Sequence, residues 1–251
     1  MERLLVEKSL ERKGQIGPLY VHEVVFLLLG CFIVLQQELA QAKFARFTSG
    51  WGTTYLEKRG MDPVTYQGIE GIKTSPQGAI FSLYDKINIQ GQGRLCSTIQ
   101  YQLQADGSSD KYFQKTLPRG LSILPPSKAV KEIVVTESPI DAMSHKQLHG
   151  TAHTLYLATC GSIGRGIAHS LEEVFLQAKQ QGIGVALGFD QDVAGKKMTK
   201  QVAEIASRQG ITCQVDWPGK GKDWNEVLLA FNQQVAQVNK QKHYTAFDRS
   251  L

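Results

Sequence analysis

Glu132-Ile133-Val134-Val135-Thr136-Glu137, running into Asp141-Ala142-Met143-Ser144-His145-Lys146-Gln147-Leu148-His149, is the stretch on which the fold turns. A β-branched apolar run that ends in a carboxylate and gives way to a helical pattern reads as one βα unit, and three more units follow it. TLYLATC (154–160) leads into a helix with Ile163, Ile167, Leu171, Val174, Phe175 and Ala178 on one face, and GVALGFD (184–190) into one carrying Met198, Val202, Ile205 and Ala206. TCQVDWP (212–218) precedes the last, with Val227, Leu228, Phe231, Val235 and Val238. Strands alternating with amphipathic helices predict a parallel α/β sheet over residues 131–240. Residues 241–251 are expected to form a C-terminal tail.

Upstream the rhythm is different. Residues 48–130 hold short β-like runs, AIFSLYD (79–85) and GRLCSTIQYQL (93–103), between Gly, Asn, Asp, Ser and Pro signals. They predict a smaller α+β subdomain, joined to the parallel sheet through a hinge at Leu124-Pro125-Pro126-Ser127. Residues 1–47 read as a helical N-terminal region. Its uncharged run Val24 to Leu35 would reach about 18 Å as a helix, short of the ~20 residues that a membrane span needs, so a buried core helix is expected and no membrane association.

The chain has 251 residues, 42% of them hydrophobic, which excludes a disordered or collagen-like protein and leaves room for a sizeable core. The formal charge of +5 is uneven: residues 1–130 carry 15 Lys and Arg against 11 Asp and Glu, and residues 131–251 carry 13 against 12. A basic surplus in the first half fits a polyanionic partner. Cys31, Cys96, Cys160 and Cys213 stand far apart with no C-x-x-C pair, so neither a zinc ribbon nor a disulfide framework is written here. Free thiols and an opening without a signal-peptide pattern fit a cytoplasmic protein.

Parallel α/β sheets place their working groups at the carboxyl ends of the strands, and here those ends are acidic. Glu137 closes the first strand and Asp190 the third, Asp192 follows two residues later, and Asp223 comes after the fourth strand in Gly221-Lys222-Asp223. Carboxylates that converge repel one another unless a cation joins them, and hard oxygen ligands suit Mg²⁺ or Mn²⁺. Gly195 lets the next helix begin close to Asp190 and Asp192, where backbone N–H groups can also hold phosphate.

The segments Val134-Val135-Thr136-Glu137-Ser138-Pro139-Ile140-Asp141-Ala142, Gly188-Phe189-Asp190-Gln191-Asp192-Val193-Ala194-Gly195 and Gly221-Lys222-Asp223-Trp224-Asn225-Glu226 resemble, in order and spacing, the three motifs of a toprim domain. Toprim is a Rossmann-like parallel sheet with flanking helices, shared by DnaG-type primases, topoisomerases and some nucleases. The resemblance implies Glu137 as general acid/base or metal-linked carboxylate, Asp190 and Asp192 as metal ligands, Asp223 as a supporting acid and Asp141 as a further candidate. Upstream, Gly93-Arg94, Lys111-Tyr112 and Arg119-Gly120-Leu121 resemble the basic subdomain that precedes toprim in DnaG-type primases. On that resemblance Arg94, Lys111 and Arg119 contact template or nucleotide phosphate. Tyr55-Leu56-Glu57-Lys58-Arg59-Gly60-Met61-Asp62-Pro63 is similar to the start of a domain paired with toprim in plasmid and other mobile-element proteins.

The resemblance therefore implies a primase-like nucleotidyltransferase acting on a single-stranded DNA template with nucleotides and Mg²⁺ or Mn²⁺, with a replication or mobilisation protein as a further partner. A toprim nuclease and a non-catalytic nucleic-acid-binding accessory protein are the alternatives. Arg119 stands where primases have Lys, Asn225 replaces the second acid of the last motif, and the zinc-binding and helicase-binding domains of replicative primases are missing, so a self-sufficient replicative primase is not expected. Three side features read as structural. His145, His149 and His153 recur every four residues, but Gly150 and Thr151 interrupt their helix. Gly161-Ser162-Ile163-Gly164-Arg165-Gly166 is not the G-x-G-x-x-G dinucleotide fingerprint. Trp217 and Trp224, read as flanking an interior strand, are expected to pack.

Overall fold

The computed structural model describes residues 53–106, 108–113 and 117–248, together with scattered helical positions between 27 and 45. Two sheets lie along the chain. The first is antiparallel, ordered β1 (Ile72–Ser75), β2 (Gly78–Asp85), β3 (Arg94–Leu103), β4 (Ser109–Phe113), and is preceded by the short helix α1 (Tyr55–Lys58). Thr54 and Glu57 form a reciprocal capping box on α1, each bonding the other's backbone.

The second sheet is built from β5 (Ser122–Leu124), β6 (Glu132–Thr136), β7 (Thr154–Ala158), β8 (Gly184–Gly188) and β9 (Gln214–Val215), in the order β5-β7-β6-β8-β9. β7, β6, β8 and β9 run parallel, and only β5 is antiparallel. The four predicted βα units are all present, with helices α2 (Pro139–His149), α3 (Arg165–Gln181), α4 (Val193–Arg208) and α5 (Trp224–Asp248). Residues expected as a separate tail from position 241 continue α5 to Asp248.

The amphipathic patterns explain the layers. Ile167, Leu171, Val174, Phe175 and Ala178 of α3 and Met198, Val202, Ile205 and Ala206 of α4 are buried against Ile133, Val135, Leu155, Leu157, Val185 and Leu187 of the strands. The strands are apolar on both faces, as a sheet covered on both sides requires. On the opposite face, Val134, Tyr156 and Ala186 share a core with Ile140, Ala142 and Met143 of α2, Leu228 of α5, and Phe81, Leu83, Ile99 and Tyr101 of the first sheet. That core is common to both sheets. The chain before the Pro125-Pro126 step also supplies edge strand β5 to the parallel sheet, so the expected hinge lies between two elements of one packed body.

Three expectations need correction. Described residues of the Val24–Leu35 run are helical, yet Leu27 is 68% and Phe32 54% exposed, and Val34 and Leu35 are also exposed rather than buried. This helix is held further along, by the buried Ala40 and by Phe44, whose ring lies 4.7 Å from Lys73 Nζ, so the apolar run extends past its anchor. The α5 stripe is split: Leu228 is buried, whereas Phe231, Val235 and Val238 are exposed because α5 packs on α2 only near its start. Finally, β9 is an edge strand of two residues, not an interior one. Among the described residues no helix is long and apolar enough to cross a membrane.

Candidate active site

The parallel strands end on one edge of the sheet. Glu137 directly follows β6, Asp190 lies two residues beyond β8, and Asp192 caps α4, its Oδ1 accepting from Gly195 N at 2.9 Å. The loop after β9 closes on them: Gln191 N donates to Lys222 O at 3.0 Å and Lys222 Nζ stands 3.8 Å from Asp192 Oδ2. Asp223 caps α5 through Glu226 N at 2.8 Å. Asp192 and Asp223 are thus both helix caps and members of the acid group. Asp141, buried on the first turn of α2, accepts from the Ser138 hydroxyl.

These carboxyls lie within electrostatic range of one another. Burial, followed by the charges of Asp141, Glu137, Asp223 and Asp192, pushes Asp190 up to about 8. Burial also raises Asp141 to about 6, against the Ser138 hydrogen bond, which lowers it. Glu137 is raised by burial and by Asp192 and Asp223, with Lys111 and Lys222 opposing. Glu137 Oε2 and Asp190 Oδ1 are buried and have no hydrogen-bond partner. Buried carboxylate oxygens are normally satisfied, and leaving one bare costs about 1–3 kcal/mol. Two bare oxygens inside one group of like charges are what a cation-binding array looks like before a cation neutralises it. Among the described residues no three acidic, His or Cys side chains are already gathered closely enough to enclose a metal, so this is an open array of neighbouring carboxylates and not a closed cage.

The first sheet delivers a cation to this group. Lys111 on β4 is paired in register with Tyr101 on β3, and its Nζ lies 5.9 Å from the Tyr101 ring centroid. From there it lowers both Glu137 and Asp141. Arg119 stacks on Phe113 at 4.3 Å and donates to Ser162 Oγ at 2.7 Å, next to the start of α3, whose N-cap Gly164 offers no side-chain bond. Arg94 is placed differently: its Nε and Nη2 are both bonded to the Asp85 carboxylate, a bidentate pair within the first sheet. Of the three basic residues, Lys111 acts on the acids through its charge, Arg119 sits beside the neighbouring loop, and Arg94 is held by Asp85.

Two contributors are not legible in residue spacing. Asn225, 4% exposed, donates through Nδ2 to Arg59 O at 2.9 Å and Ser144 Oγ at 3.2 Å, and its Oδ1 accepts from Arg59 Nη1 at 3.2 Å. Arg59 also donates to Ser109 Oγ at 2.8 Å, at the start of the strand that carries Lys111. Asn225 therefore fastens α5 to α2 and to the end of α1, where the motif's second acid would stand. Asn225→Ala leaves the Arg59 carbonyl without its side-chain donor and removes one of the guanidinium's bonds, and is expected to lower unfolding free energy by about 1–3 kcal/mol in urea titration; a change under half a kcal/mol, on the order of a few tenths, would show the bonds are dispensable. Tyr101 is the second contributor. Its phenol is driven well above its usual pKa by burial, with Cys160 and Asp141 adding to the rise.

The histidines take structural places. His145 is buried, bonded to Tyr156 Oη at 3.0 Å and Asp216 Oδ2 at 2.9 Å, with Trp224 edge-on at 4.6 Å. Gly150 ends α2 as predicted, and His153 lies beyond it against Ala129 O at 2.7 Å.

The parallel strands in the order β7-β6-β8-β9 thus carry their acids on one strand-end edge. Residues 134–228 match the Toprim-like family model. A crystal structure of the Aquifex aeolicus primase, comprising its zinc-binding and RNA polymerase domains, is similar at 13% identity and a TM-score of 0.47, over 73% of this chain and 53% of that one. This chain thus spans about half the length of that primase structure. No curated protein matches the sequence.

Proposed function

We propose that the chain is a primase-like nucleotidyltransferase that makes short primers on single-stranded DNA in the replication of a mobile element. The observation that carries this reading is the convergence of Glu137, Asp190, Asp192 and Asp223 on one sheet edge, with two unpartnered oxygens, opposite a lysine supplied by a separate antiparallel sheet. The toprim motifs and the basic surplus upstream support it.

Glu137, Asp190 and Asp192, with Asp223 behind them, are the residues that would hold Mg²⁺ or Mn²⁺, a fit that follows from their hard oxygen donors and bare buried atoms. When bound, such an ion neutralises the neighbouring carboxylates and polarises phosphoryl oxygens. The chain's own groups do the rest. Lys111 and Arg119 hold nucleotide and template phosphate by charge-assisted hydrogen bonds. A primer hydroxyl forms the new bond to the α-phosphorus and pyrophosphate leaves. Glu137 has two alternative roles: as a ligand it would help hold the ion, or, standing off it with a carboxyl raised by burial, it would take the hydroxyl proton.

The test is template-directed synthesis by the purified chain on single-stranded DNA with labelled nucleotides and Mg²⁺ or Mn²⁺. Short products are expected from the wild type, a loss of about 10²-fold or more in Asp190→Ala/Asp192→Ala, and weaker nucleotide use in Lys111→Ala. Cleavage of the template that needs the same acids would replace this reading with a nuclease. Binding without either reaction would make the chain an accessory protein.

A further inference from the structure

The parallel sheet ends at β9, and the loop that follows has two sides. One side meets the acids, where Gln191 N donates to Lys222 O and Asp223 closes the loop. The other side, with α5, walls an open cleft of about 680 Å³ lined by His149, Trp217, Pro218, Lys220, Trp224 and Phe231. Trp224 is core at 3% exposed, with His149 edge-on to it at 5.4 Å, so it forms the cleft's floor. Trp217 is only half-buried and Phe231 is 51% exposed, so these two rings are open to an occupant.

We infer that this cleft receives an unpaired base of the nucleic acid on which the neighbouring acids act, stacked against Trp217 and Phe231. The inference rests on the nucleic-acid reading above. Its volume falls within the roughly 300–1,000 Å³ of small-ligand sites. Aromatic faces beside a basic side chain are how single strands are held without sequence preference. Two carboxylates also stand on the rim, Asp216 hydrogen-bonded to His145 Nε2 and Glu226 accepting from Lys222 N, so the exposed Lys220 is the group there that can meet a phosphate, and the rings, not the net charge, carry the contact. The loop from Pro218 to Asp223 is the shared wall, so a base in the cleft has its sugar-phosphate beside the acid edge.

Fluorescence anisotropy of the full chain with a labelled dT 12-mer and with an abasic 12-mer of equal charge tests this. The wild type is expected to bind the dT strand more tightly. Trp217→Ala and Phe231→Ala should each weaken dT binding about tenfold while leaving abasic binding unchanged. Phe231 is exposed, so its variant keeps the test readable if Trp217→Ala unfolds. Equal wild-type binding of the two strands overturns the inference, as does a discrimination that survives both substitutions. A change in sedimentation of Phe231→Ala with unaltered dT binding also overturns it and makes the cleft a contact between copies. If neither strand binds the wild type, the nucleic-acid reading itself fails.

Discussion

Asp190→Asn is expected to abolish metal-dependent turnover, by about 10²–10³-fold or more, and yet to leave the metal-free protein as stable as the wild type or more so. The two effects share one cause. Asp190 is half-buried beside Asp141, Glu137, Asp223 and Asp192, and burial first, then those charges, lift its carboxyl to about 8. In the unfolded chain it ionises near 3.9. Between those two values the folded state keeps a proton that the unfolded state has released, so the unfolded state binds fewer protons and stability falls as pH rises. Melting temperature of the metal-free wild type should therefore decline from about pH 4 to about pH 8, with the 6-to-8 part of the slope lost in Asp190→Asn, since Asp141 has its own transition near 6. If the array holds Mg²⁺ as proposed, the ion is expected to reverse the sign by binding the ionised form: at a concentration of 100 Kd it would add about 2.7 kcal/mol to the wild type and nothing to the variant. A metal-free Asp190→Asn that melts well below wild type at pH 8 would show that the carboxylate is structurally satisfied and that the array is not a cation site.

How much of this was legible depends on whether a residue's partner lies near it in sequence. The four strands of the parallel sheet, the end of α2 at Gly150, and the acids at positions 137, 190 and 223 follow from local alternation and from the rule that α/β sheets work at their carboxyl edge. Lys111 is legible only through the resemblance, because nothing in its neighbours says that β4 carries it to Glu137. Arg59 and Asn225 are 166 residues apart, and a hydrogen bond between them leaves no periodic trace. Strand order is equally silent: TCQVDWP has the composition of an interior strand, but only Gln214–Val215 pair, at the edge, which is why Trp217 opens onto a cleft instead of packing. Phe231, Val235 and Val238 have helical spacing and still face outward, because amphipathicity says that a face exists and not that another element covers it.

Gly195→Ala is expected to be the most damaging added methyl among the described glycines, at about 3 kcal/mol of stability together with loss of the Mg²⁺ response. The position is in the first turn of α4 and needs no left-handed backbone; what it needs is room. A Cβ there would sit 2.1 Å from the Asp190 carbonyl oxygen, 2.8 Å from its carbon and 2.9 Å from its nitrogen. All three are backbone atoms, so no side chain can swing aside. The chain must instead lift the Asp190–Asp192 turn off the helix. That movement breaks the Asp192 Oδ1 bond to Gly195 N and drags both carboxylates from their places opposite Glu137. Gly182→Ala supplies the contrast. Gly182 caps α3 with φ at +66°, where an added Cβ meets nothing within 4 Å, so the cost is the left-handed backbone alone, about 1–2 kcal/mol. Differential scanning calorimetry with and without Mg²⁺ separates the two. Gly182→Ala should melt earlier and gain the full Mg²⁺ shift, whereas Gly195→Ala should melt earlier still and gain none. A Gly195→Ala protein that keeps the Mg²⁺ shift would mean that the acid turn holds its place without α4 beneath it, and that the close approach of helix to turn is not what sets the carboxylates.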